Sequence, residues 1–146
     1  MPTAGKLAAA LLFTALGWVF IGVLSPLYPE GIVPQFFEPI CLAVGFLVGW
    51  MIVGKNAGRG YSAAVAQGLT GAAALLIWVL FLTSLVKMVR QSMRGLYSGP
   101  TDAVLDIARL MGEQGQRFLV ADVAIAWALG GLLAAFLTEA VARRWP

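Results

Sequence analysis

Four long apolar stretches alternate with short polar ones along the chain. Residues 7–24, "LAAALLFTALGWVFIGVL", carry no charge, favour helix and come near the minimum length for a transmembrane span. Ser25 and Pro26 end that run. Residues 40–54, "ICLAVGFLVGWMIVG", form a second span that is short unless it begins near Glu38, which gives a span of about 38–54. Residues 61–86 form a third. At a rise of about 1.5 Å per residue it reaches about 39 Å, more than the roughly 30 Å hydrocarbon core, so it must tilt or protrude. Residues 121–141 form the fourth, just before the terminal "RRWP".

The pattern changes between the third and fourth spans. Projected at 100° per residue, Val104, Ile107, Ala108, Met111 and Phe118 fall on one face of a helix over 101–118. Asp102, Asp106, Arg109, Glu113 and Arg117 fall on the other, where the pairs Asp106–Arg109, Arg109–Glu113 and Glu113–Arg117 have helical spacing. Gly99-Pro100 breaks the chain before this helix, and Thr101 suits its N-cap. Such a segment lies at the membrane interface or covers the end of the bundle. The loop after the first span holds Pro26, Pro29, Pro34 and Pro39, with Glu30 and Glu38 and no basic residue, and is predicted to be extended. The expected fold is all-α: one integral membrane domain over 1–146, a four-helix bundle with one interfacial amphipathic helix.

Composition agrees with this pattern. The chain is 60% hydrophobic and 12% charged, where a soluble domain carries about 25% charged residues. The net charge is +3 and the pI about 9.4. Because the cations flank apolar runs, membrane lipids are the expected partner and nucleic acid is not. The absence of histidine removes imidazole metal sites, histidine-ligated cofactors and histidine-based catalytic dyads. The single cysteine, Cys41, cannot pair within the chain, and thiolate metal clusters need more. It lies at the start of the second span, with no neighbouring base to raise its thiolate fraction for redox chemistry. No catalytic, cofactor-binding or metal site is expected. The first span lacks a signal-peptide cleavage pattern and reads as one that stays.

Lys87, Arg90 and Arg94 follow the third span and share one helical stripe, while Leu85, Val89, Met93 and Leu96 point the other way. The helix should therefore continue beyond the core, with its basic stripe on lipid headgroups or a partner. Four spans put both termini on one side. Lys6, Lys55, Arg59, Arg143 and Arg144 then stand on that side against Lys87, Arg90, Arg94, Arg109 and Arg117 on the other, so the positive-inside count is tied. The acidic first loop and the basic residues tight against their spans favour cytoplasmic termini.

Gly45–Gly49, Gly130–Ala134 and Gly131–Ala135 are small-xxx-small pairs suited to close helix contact. Gln67 is the best candidate for an interhelical hydrogen bond. Trp18, Trp50, Trp78 and Trp127 fall one per span and suit packing and lipid contact. "KNAGRG" at 55–60 lacks Walker spacing and reads as a tight turn. Asp122 is placed to cap the last span, and Glu139–Arg143 is an i,i+4 pair near its end. No ionisable residue lies mid-span, where a proton-coupled transporter generally keeps one.

"MPTAGKL" at 1–7, "PEG" at 29–31, "GWMIVGKNAGRGY" at 49–61, "GLTGAAAL" at 68–75, "YSGP" at 97–100, "GGLLAAFL" at 130–137 and the terminal "RRW" occur in order. Together they resemble the TrgA family, small four-span inner-membrane proteins of purple non-sulfur and related alphaproteobacteria. The resemblance implies a multi-pass bacterial inner-membrane protein linked to tellurite resistance, and it carries over no ligand or catalytic residue. Two other readings stand beside it. The chain could be an accessory subunit packed against a larger respiratory or photosynthetic membrane complex. A membrane enzyme would have to rest on the arginines, Glu30, Glu38 and Cys41 alone.

Overall fold

The computed structural model describes residues 3–28 and 36–145. Glu30, Pro29, Pro34 and the "PEG" segment lie outside them. Uncharged runs rich in Ala and Leu satisfy their backbone polar groups internally, the condition a membrane span must meet. Helix α1 spans Ala4–Leu24 and passes into a 3-10 turn over Ser25–Leu27. Helix α2 spans Phe37–Val48, widens into a π turn at Gly49–Val53 and tightens into a 3-10 turn at Gly54–Asn56. Helix α3 spans Tyr61–Met93, α4 spans Pro100–Phe118 and α5 spans Ala121–Arg144. Among the described residues there is no strand, and four helices are long and apolar enough to cross a membrane.

Helix α3 continues past the core to Met93, as its basic stripe suggested, and Arg94 stands at its C-cap. Two expected caps are not used. Helix α4 begins at Pro100, with Gly99 in the cap position, so Thr101 lies inside the first turn. Proline suits that position because its missing N–H would have had no partner there. Asp122 likewise sits in the first turn of α5 behind Val120, where its charge meets the helix dipole without capping.

Two glycine seams bring the helices together. A methyl group at Gly45 would stand 2.5 Å from the Phe13 carbonyl oxygen, and one at Gly17 would stand 2.7 Å from that of Cys41. Gly49 lies equally close to the backbone of Ala9 and Ala10. The α1 and α2 backbones therefore touch directly. In the second seam, a methyl at Gly68 would meet the Gly131 carbonyl oxygen at 2.8 Å, and one at Gly131 would meet the Ala72 methyl at 2.7 Å. Gly130 fits under Leu16, so α1 also rests on α5. Lipid tails are as apolar as these side chains, so close packing rather than water exclusion holds such helices together.

Phe13, Phe20, Phe37, Leu24, Leu75 and Val79 fill the interior and are almost fully buried. The outward surface is apolar as well. Trp18 is 68% exposed, and Met51, Trp78, Leu129 and Leu133 are also exposed. Exposed hydrophobics along all four long helices, with charges confined to the two ends, mean that hydrocarbon surrounds the bundle. The chain is a multi-pass membrane protein.

Candidate functional site

The polar groups gather in two layers, one at each end of the bundle. The first layer is built on the turn that joins α2 to α3. Gly58 and Gly60 have φ of +91° and +112°, which glycine adopts without strain. Their N–H groups point inward and form a small anion-binding concavity. Glu139 of α5 fills it. Gly58 N–H donates to Oε2 at 2.7 Å, and Gly60 N–H donates to Oε1 at 2.8 Å. Arg143 Nε donates to Oε1 at 3.1 Å, and its guanidinium lies over the Tyr61 ring, 4.6 Å from the centroid. Glu139 is 2% exposed, the one charged side chain buried among the described residues. The expected Glu139–Arg143 pair is present, but the carboxylate's main task is to clasp a distant turn.

At the opposite end α4 folds back against α3. Gln114 Nε2 donates to Ser84 Oγ at 2.9 Å, and its Oε1 lies 3.4 Å from the hydroxyl of Thr83. All three side chains are buried. Buried polar groups need such partners, so the triad fixes where α4 sits. The hydrophobic face read from the sequence is only partly used. Phe118 is buried and Met111 packs against the core, whereas Val104 is exposed together with its neighbour Leu105. Contact concentrates in the second half of α4 because Thr83 and Ser84 offer hydrogen bonds there. Of the three expected ion pairs on α4, only Arg109–Glu113 closes, at 3.0 Å. The Tyr97 hydroxyl donates to Asp106 instead and also sits 2.5 Å from Gln91 Oε1. Partial burial and the adjacent Asp106 carboxylate push the Tyr97 phenol up to about 12.

The basic stripe of α3 is dispersed by these contacts. Lys87 is partly buried and lies within electrostatic reach of Arg117 and Glu113 of α4. The Arg90 guanidinium lies over the Phe36 ring, 5.7 Å from its centroid. Arg94 is exposed. Tyr28, beneath this end, is buried with a hydroxyl that finds no hydrogen-bond partner among the described residues. Burial, and then the neighbouring Cys41 thiol, push this phenol up to about 12. Cys41 itself is fully buried, out of reach of a dissolved reactant.

Between the two layers the described interior holds no charge. Gln67 lines a small hollow beside Glu139 and Thr138 but makes no interhelical hydrogen bond among the described residues. That role falls to Trp127, whose indole N–H donates to the Ala72 carbonyl at 2.9 Å. A groove of about 320 Å³ between α2 and α3, lined by Val44, Met51, Trp78 and Leu82, opens outward toward lipid. A second depression, about 350 Å³, lies at the end that carries both termini. No group of three or more metal-ligating side chains occurs among the described residues. The chain matches no protein-family model, no curated protein and no solved structure.

Proposed function

We propose that this chain is a non-enzymatic protein of a bacterial inner membrane that acts by packing rather than by turnover or transport. The observation that carries this reading is the closed middle of the bundle: glycine seams and apolar side chains, with charge at the ends and the Trp127 indole N–H already tied to the Ala72 carbonyl. Such an interior gives a solute no donors to replace its water and gives a proton no relay. The link to tellurite resistance comes from the TrgA resemblance of the sequence motifs. A chain with this interior would serve that phenotype through the membrane or a partner, not by binding the oxyanion. Cytoplasmic termini fit the basic residues set tight against the spans at that end. Deleting the chain should lower tellurite tolerance, and Cys41→Ala should restore it as fully as the unaltered chain does. Unchanged tolerance after deletion would refute the tellurite link.

A second reading, an accessory subunit of a larger energy-transducing complex, is favoured by the exposed apolar surface around the α2–α3 groove. Gentle extraction from native membranes followed by affinity capture separates the two readings. The accessory reading expects a stoichiometric membrane complex, and consistent isolation of the chain alone contradicts it.

A further inference from the structure

The two ends of the bundle carry different charge. The end with both termini holds Lys6, Lys55, Arg59, Arg143 and Arg144. Its one acid among the described residues, Glu139, is buried and already engaged by Gly58, Gly60 and Arg143. At the other end Lys87, Arg90, Arg94, Arg109 and Arg117 stand among five described acids, Glu38, Asp102, Asp106, Glu113 and Asp122. The cations there are offset within their own layer. Attraction for an anion therefore concentrates at the termini, although the number of cations at the two ends is equal.

That end also has a shaped receptor. The depression of about 350 Å³ is lined by Thr3, Gly5, Ala57, Gly58, Arg143 and Trp145, among others. Its volume lies in the range of small-ligand sites. Arg143 is half exposed while Glu139 and the Tyr61 ring fix its orientation, so its guanidinium is held in place before any ligand arrives. A fixed guanidinium suits the planar, forked recognition of a phosphate. Lys55, Arg59 and Arg144 are exposed and stand within one or two residues in the chain of its lining residues Ala57, Gly58 and Arg143. Trp145 is 71% exposed beside them, at the level where indole rings meet lipid headgroups.

We propose that this depression binds the phosphate of an anionic phospholipid, with Arg143 as the fork and Lys55, Arg59 and Arg144 as the surrounding charge. The site sits at the end of four membrane-spanning helices, where the most abundant phosphates are those of the leaflet itself. The proposal is independent of the tellurite reading and needs only the membrane fold.

Native mass spectrometry of the full chain in neutral detergent tests it, with phosphatidylglycerol and phosphatidylcholine supplied equally. Retention of the anionic lipid should exceed that of the zwitterionic one by at least about ten-fold, since each basic residue near a surface is worth about five-fold. Lys55→Gln/Arg59→Gln/Arg144→Gln should abolish the preference, while Lys87→Gln/Arg90→Gln/Arg94→Gln should leave it. Arg144→Gln alone, which spares the Glu139 clasp, should lose about five-fold and serves if the triple variant melts early. Equal retention of both lipids, or loss of preference only in the second triple variant, overturns the proposal. Displacement by millimolar inorganic phosphate overturns the lipid assignment in favour of free phosphate. Capture of an acidic protein in place of lipid, lost in the first triple variant, overturns it in favour of a protein partner.

Discussion

Single side chains fix the ends of this bundle, and Glu139 does most at the terminal end. Its carboxylate gathers two backbone N–H groups and one guanidinium. Glu139→Gln keeps the shape but sets an amide against one of those donors, and should cost about 2–4 kcal/mol. Arg143→Gln should cost about 1 kcal/mol, because that partner is half exposed. Melting of the purified variants checks the order, and equal losses would contradict it. This clasp was only half legible in the sequence. The i,i+4 pair was visible, but Gly58 and Gly60 lie 81 and 79 positions away and contribute only backbone N–H groups, which leave no pattern. Tyr97 gives a pH test at the other end. Its folded phenol titrates near 12 against an ordinary 10. The protonated form is the one the fold holds, so its contribution is whole below pH 10 and is lost as pH rises through about 12. Absorbance titration of phenolate formation should show a late-titrating tyrosine that Tyr97→Phe removes. Tyr28 must be distinguished by Tyr28→Phe, since it titrates in the same range.

At the scale of elements, the four spans were legible because the membrane imposes a single rule on composition and length. Bounds shifted at the ends, as when α3 ran on to Met93. The register of α4 was less legible. Its periodicity gave a hydrophobic face, yet Gln114 anchors the helix, and nothing local distinguishes it from the exposed Gln116. The difference lies in Thr83 and Ser84, which belong to another helix. Gln67 shows the converse: a polar residue inside a span is not thereby a bridge. The seams can be probed by adding carbon. Gly45→Val drives a side chain into the Phe13 carbonyl, with no flexible neighbour to yield, and should cost about 1–3 kcal/mol or separate α1 from α2. Gly22→Ala meets open space on α1 and should be neutral or stabilising by up to about 1 kcal/mol. Denaturation in mixed micelles compares them, and similar behaviour of the two variants would contradict direct backbone contact.

For the whole molecule, the consequence is a division of labour between middle and ends. The middle packs by shape, with glycines at the α1–α2 and α3–α5 contacts and Trp127 tied to Ala72 across helices. The ends carry the charge. Leu75 sits in that middle, fully buried. The most direct test is the reactivity of Leu75→Cys in a Cys41→Ala background toward a water-soluble thiol reagent applied to either side of intact membranes. A closed interior leaves this thiol unlabelled from both sides until the bundle is denatured. Rapid labelling in the native membrane would reveal a water path through the chain and contradict the reading.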